Sequence, residues 1–264
     1  MQAHHPTTLE EAIAATSDGA TPLAGGTDLM VEVNFRHSRP QHVVGLRRVS
    51  QLTEWEGSRI GAGVTWRRIE REGPRALAQA ARTVGSPQIR NAGTIGGNLG
   101  TASPAGDGHP FIAAVDAEIE LTSPRGRRIV SWSDFFVGVK KTSLAEDELI
   151  TAVLLPEELP ERHEFAKVGV RNAMVISTVC AVVTRETDGA TTVGLGSVAP
   201  TPIRAPKAEA MISAVASPTP ADLAEFQRLV SEEVKPITDH RSTEAYRRHA
   251  AGVLARRLLE RCLR

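Results

Sequence analysis

Cysteine is nearly absent from this chain of 264 residues. Cys180 and Cys262 stand far apart in apolar surroundings, and no CxxC pair or Cys/His cluster occurs. An iron–sulfur cluster or structural zinc held by this chain alone is therefore not expected. His4-His5 has no acidic or histidine partner at helical spacing and reads as an exposed tail rather than a metal site. Net charge is missing too: Lys+Arg and Asp+Glu number 31 each, which removes any general attraction to nucleic acid or to an anionic membrane surface. Long apolar runs are lacking. The longest, Ala173 to Val183, contains Ser177 and Thr178 and is too short to span a bilayer. The opening Met1-Gln2-Ala3-His4-His5-Pro6 has no basic region followed by an apolar one, so no signal peptide is expected and the protein reads as cytoplasmic. No GxxxxGK[ST] occurs, nor a GxGxxG with an acidic residue about 20 positions later, which argues against P-loop and Rossmann sites.

What the chain does have is a hydrophobic content of 41%, ordinary for a globular protein, and a length that suits two or three small domains. It also has two glycine-rich stretches, Ala24-Gly25-Gly26-Thr27-Asp28-Leu29 and Thr94-Ile95-Gly96-Gly97-Asn98, each after a short apolar segment. Paired glycines let a backbone turn tightly and bring its N–H groups against an anion. Either stretch alone is most simply a turn; together they could enclose one diphosphate from both sides.

Around them, Thr7 with Glu10 has the pattern of a capping box opening a helix to about Ala15. Strands are expected over Thr21–Leu23, His42–Leu46, Ser58–Val64, Ala117–Leu121, Arg128–Ser131 and Glu148–Leu154. Helices are expected over Arg67–Glu70, Arg75–Val84 and Pro110–Val115, with Leu29–Phe35 helical or irregular. Pro156 to Glu164 reads as a linker. Beyond it, Glu164–Val170, Val175–Arg185 and Thr191–Val198 suggest a strand meander. The remainder reads as three helices, Pro206–Val215, Pro220–Val234 and Thr243–Leu263, the last with a core stripe of Tyr246, Ala250, Val253, Leu254, Leu258 and Cys262.

Nearly the whole chain resembles the FAD-binding medium subunit of the molybdenum hydroxylases, the xanthine dehydrogenase and carbon monoxide dehydrogenase family. The words that carry the likeness are Pro22-Leu23-Ala24-Gly25-Gly26-Thr27-Asp28-Leu29, Ile89-Arg90-Asn91-Ala92-Gly93-Thr94-Ile95-Gly96-Gly97-Asn98, Ala102-Ser103-Pro104 with Asp107, Phe135-Phe136-Val137-Gly138 with Lys141-Thr142, and Asp147-Glu148-Leu149-Ile150. Phe165, Lys167, Arg171 and Tyr246-Arg247-Arg248 continue it.

The resemblance implies an α+β fold of the PCMH type. Two α/β subdomains, 1–55 and 56–160, would sandwich FAD, and 161–264 would form a small antiparallel sheet with a helical bundle. It implies that Pro22, Leu23, Ala24, Gly25, Gly26, Thr27, Asp28 and Leu29 line the diphosphate with backbone amides. Thr94, Ile95, Gly96, Gly97 and Asn98 would close over it. Asp107 would accept from a flavin or ribityl hydroxyl, Ile150 would be an apolar wall, and Lys167 would lie near the pyrimidine edge of the ring. Electrons would arrive from a small [2Fe–2S] subunit fed by a large molybdopterin-binding subunit, and leave to NAD or another acceptor.

Thr101-Ala102-Ser103-Pro104 and Phe135-Phe136 resemble the purine-oxidising branch more than the carbon monoxide branch. The chain departs from the family where several relatives have an aromatic beside the ring, since Val84 and Val139 stand at those places. A stand-alone FAD oxidase or reductase of the same fold, or an assembly subunit that has lost FAD, are the other readings. The C-terminal 100 residues offer no catalytic acid or base for the first, and the intact glycines and Asp107 count against the second.

Overall fold

A computed structural model describes residues 1–171 and 174–264; Ala173, where the longest apolar run begins, lies outside the described residues. The chain divides into two compact units, neither continuous in sequence. One comprises residues 1–68, 86–102 and 117–157, the other 69–85, 103–116 and 158–264. The segments 69–85 and 103–116 thus cluster with the C-terminal part.

The first unit holds a small parallel sheet in which His42–Gly45 is flanked by Gln2–His4 and Thr21–Leu23. Parallel neighbours need a crossover, and the helix Leu9–Ser17 supplies the one between the two outer strands. The chain start is therefore not a free tail: Gln2 donates to the Gln41 carbonyl at 2.7 Å and His4 sits in the edge strand. The first helix also starts one residue later than expected. Thr8 is the N-cap and its hydroxyl accepts from Glu11 N at 3.2 Å. The Glu11 carboxylate in turn receives the Thr8 and Thr7 amides, so the box is Thr8/Glu11 rather than Thr7/Glu10. That frame turns Ala12, Ile13 and Thr16 inward, to a core shared with Ala20, Val44, Val49, Leu52 and Leu149.

A second, five-stranded antiparallel sheet runs in the order Trp55–Glu56, Arg59–Gly61, Leu149–Leu154, Glu118–Ser123, Gly126–Ser131. Two short helices that the sequence pattern does not announce, Pro87–Ala92 and Ile95–Thr101, join this unit.

In the second unit the expected meander is present: Arg162–Val168, Val179–Arg185 and Thr191–Gly196 pair antiparallel in chain order. Every residue of the central strand is buried, because both of its faces are covered. Val179, Ala181, Val183, Val193 and Leu195 meet the helices Pro206–Ser213, Pro220–Glu233 and Glu244–Cys262. On the opposite face the helix His109–Ala114 comes so close that a Cβ on Gly194 would lie 1.8 Å from the Pro110 carbonyl oxygen. The helix Arg75–Thr83 packs on the outer strand Arg162–Val168, burying Ala76, Leu77, Ala80 and Ala81. In the last helix Ala250, Leu254, Leu258 and Cys262 are buried as the stripe requires, but Tyr246 is 49% exposed. Arg247 points inward instead, and its guanidinium donates to the Thr178 and Ser197 carbonyls and to Asp239.

Candidate cofactor site

In the first unit, the strand Thr21–Leu23 ends at a loop that must turn sharply into the helix Leu29–Asn34. Gly26 makes the turn with φ +70°, the left-handed region that favours glycine. The Gly26 and Asp28 carbonyls then accept from Met30 and Glu32 and start the helix. The four consecutive backbone N–H groups before it, those of Gly25, Gly26, Thr27 and Asp28, donate to no protein acceptor among the described residues. A run of successive amides without acceptors is the donor set that an anionic oxygen takes up. Asp28 does not cap the helix with its side chain. Its carboxylate accepts from the Thr101 hydroxyl at 3.0 Å and so ties this loop to the end of the helix Ile95–Thr101.

The second glycine stretch is not a loop. Thr94 is an N-cap, and Ile95-Gly96-Gly97-Asn98 form the first turn of that helix. Its amides are bonded within the chain: Ile95 N to Val64 O, Gly96 N to Ala62 O, Gly97 N to the Thr94 hydroxyl and Asn98 N to Thr94 O. A Cβ on Gly96 would lie 2.6 Å from the Ala62 Cβ and 2.8 Å from its carbonyl oxygen. Gly96 therefore serves contact of chain on chain, and a valine there would disturb the fold rather than only a ligand. Gly25 does the same. A Cβ on it would lie 1.9 Å from the Ala92 carbonyl oxygen, so the first loop rests on the turn that leads into the second motif. The two stretches are thereby brought together. Ile150, at the register shift of its strand, packs against the helix Ile95–Thr101: its Cδ1 is 3.5 Å from where a Gly100 Cβ would be.

Asp107 and Lys167 meet each other in the second unit. Lys167 Nζ donates to Asp107 Oδ2 at 2.6 Å, and both side chains are under a tenth exposed. The Ser177 hydroxyl donates to Asp107 Oδ1 at 2.5 Å and the Thr83 hydroxyl to Oδ2 at 3.2 Å. The Asp107 carboxyl is raised above its ordinary value: burial is the largest cause, and the Lys167 ammonium and the two hydroxyls offset only part of it. Ser177 and Thr83 were not singled out by sequence reasoning. The visible signal was the Ser177-Thr178 break in an otherwise apolar run. Among the described residues no group of three His, Cys, Asp or Glu could hold a metal ion, and no helix is long and apolar enough to cross a membrane.

Residues 1–158 match the family described as the FAD binding domain in molybdopterin dehydrogenase, and residues 164–262 the CO dehydrogenase flavoprotein C-terminal domain. The chain belongs to the FAD-binding medium-subunit family of the molybdenum hydroxylases. It is an oxidoreductase subunit, and its cofactor is FAD. It is 31% identical to a xanthine dehydrogenase FAD-binding subunit of Escherichia coli O157:H7, over 97% of this chain and 94% of that one. It is 39% identical to the nicotinate dehydrogenase FAD-subunit of Eubacterium barkeri, over 66% of this chain and 64% of the relative. Among solved structures, reconstituted CO dehydrogenase from Oligotropha carboxidovorans superposes with a TM-score of 0.90 at 30% identity, covering 99% of this chain and 97% of that chain. The α+β fold expected from the resemblance is thus the fold of the molecule.

The residues present fit the cofactor. A nucleotide diphosphate needs several N–H donors, and the amides of Gly25 to Asp28, which donate to no acceptor among the described residues, are available for one. The amides of Ile95 to Asn98 add none, being already bonded.

Proposed function

We propose that this chain is the electron-transfer subunit of a multi-subunit, xanthine dehydrogenase-like molybdenum hydroxylase. It would receive electrons from a small [2Fe–2S] subunit, itself supplied by a large molybdopterin-binding subunit, and pass them to NAD or another acceptor. The flavin supplies the redox chemistry, and the protein's part is to hold the cofactor and tune its electrostatics.

In this reading the loop Pro22 to Leu29 binds the diphosphate through the amides of Gly25 to Asp28. The helix start Thr94 to Asn98 acts as its support and offers the small surface of Gly97. Ile150 contributes an apolar wall. Asp107 and Lys167 act as a linked pair at the flavin, with the lysine as the cation near the ring. No side chain is assigned the role of acid, base or nucleophile toward an organic substrate, which would meet the large subunit.

The observation that carries this reading is the run of four amides without protein acceptors, seated on the turn before the second glycine motif. The test is the visible spectrum of the purified chain, with the released cofactor identified and a mixture with the two partner chains assayed for substrate-dependent flavin bleaching. Bound FAD that bleaches only when both partners are present supports the proposal. FAD that is reduced by an organic substrate without partners would favour a stand-alone oxidase or reductase. A colourless protein that refuses added FAD would refute the site.

A further inference from the structure

Every donor of the Lys167 ammonium is committed: to Asp107 Oδ2 at 2.6 Å and to the carbonyls of Thr83 and Val175, each at 3.0 Å. Asp107 divides its two oxygens. Oδ2 takes Lys167 and the Thr83 hydroxyl, while Oδ1 takes the Ser177 hydroxyl at 2.5 Å. Ser177 is 1% exposed and is itself held from behind. Its carbonyl accepts from the Ser197 hydroxyl at 3.1 Å, and Ser197 N donates to Pro104 O at 2.8 Å. Ser197 adopts φ +64°, a strained conformation for a residue with a side chain. The neighbouring titratable groups are Cys180 and the His109 ring that packs on Gly106. Burial pushes the Cys180 thiol up, so it adds no negative charge. Lys167 is the cation paired with Asp107.

A buried carboxylate stays ionised only while its oxygens are solvated by donors. Removing the Ser177 hydroxyl takes from Oδ1 its hydrogen-bond donor and favours the protonated form of Asp107. A protonated Asp107 no longer neutralises Lys167. The geometry points to Ser177 as a positioning residue that sets how much of the Lys167 charge bound FAD experiences, by holding Asp107 ionised through its hydroxyl. This rests on the placement of Lys167 beside the flavin proposed above.

Uptake of electrons adds negative charge to the ring, so an uncompensated cation beside it raises the midpoint potential and loss of the cation lowers it. The experiment is spectroelectrochemical titration of the full-length, FAD-loaded chain. Lys167→Ala is expected to lower the potential. Ser177→Ala is expected to raise it by about 30 mV, a tenfold change for a two-electron couple, and Ser177→Cys, which keeps a weak donor, to raise it less. On an Asp107→Asn background, Ser177→Ala should add nothing. General loosening of the fold would not produce opposite signs at Lys167 and Ser177, nor the loss of the Ser177 effect without the carboxylate. A lowered potential in Lys167→Ala with no rise in Ser177→Ala or Ser177→Cys overturns the role of Ser177 and leaves the cofactor reading standing. An unchanged potential in Lys167→Ala removes the lysine from the flavin and with it the premise. Should Ser177→Ala not retain FAD, the Ser177→Cys shift decides.

Discussion

Two glycines that look alike in the sequence as phosphate-approach residues are both closely packed against the chain. Gly25 and Gly96 each face another part of the backbone at a separation no Cβ tolerates. Gly100, in the same helix as Gly96, would place a Cβ 3.5 Å from Ile150 Cδ1, an ordinary contact. The two kinds of site predict opposite outcomes. Gly25→Ala should destabilise the protein by about 1–3 kcal/mol or more, the cost of overpacking against a backbone that cannot yield. Gly100→Ala should be neutral or stabilise by up to about 1 kcal/mol through helix propensity. Urea unfolding of both variants checks this, and equal effects would contradict the packing role. The glycine pairs mark two segments that the structure brings together. That Gly25 and Gly96 are closed in by the chain depends on the neighbours at Ala92 and Ala62, which spacing does not reveal.

At the scale of elements, caps supplied from elsewhere in the fold matter as much as local ones. The helix Arg75–Thr83 begins after Pro74, which provides no side-chain cap. The Ala76 amide instead donates to His163 Nδ1 at 3.0 Å, on the neighbouring strand. Only a neutral imidazole can accept there. Burial, the main cause, holds the His163 pKa below its usual value, so the folded state favours the neutral form. The stability this contributes is present above the unfolded pKa of about 6.5, and is lost as pH falls through the depressed folded value. Urea midpoints should therefore drop on acidification below about pH 6.5, and His163→Gln should flatten that part of the profile. An unaltered profile in the variant would assign the acid sensitivity to other groups. The amphipathic face of this helix was legible; its cap, 87 residues away in sequence, was not. The helix Ile95–Thr101 was hidden for a different reason. Three glycines in seven residues read as a turn, and the Thr94 cap with the bonds to Val64 and Ala62 outweighs that low propensity.

For the molecule as a whole, sequence order and compactness disagree. The C-terminal family match covers residues 164–262, yet the second compact unit also includes 69–85 and 103–116. Those segments supply the helix on the outer strand and the helix that lies against Gly194. A fragment of residues 158–264 would expose the sheet face around Gly194 and leave Asp107's partners unmatched. It is expected to lack a cooperative thermal transition and to bind a hydrophobic dye, where the full chain does neither. A sharp transition in the isolated fragment would show that the two earlier helices are dispensable. The sequence by itself determined the family and the FAD cofactor, through the words it shares with the medium subunits, and the meander with its helices, because apolar periodicity is a local signal. Only the tertiary structure decided which amides stay free, that Asp107 and Lys167 neutralise each other, and that Ser177 stands behind them. Those properties depend on which distant atoms lie within about 3 Å of each group, and that is set by how the chain packs.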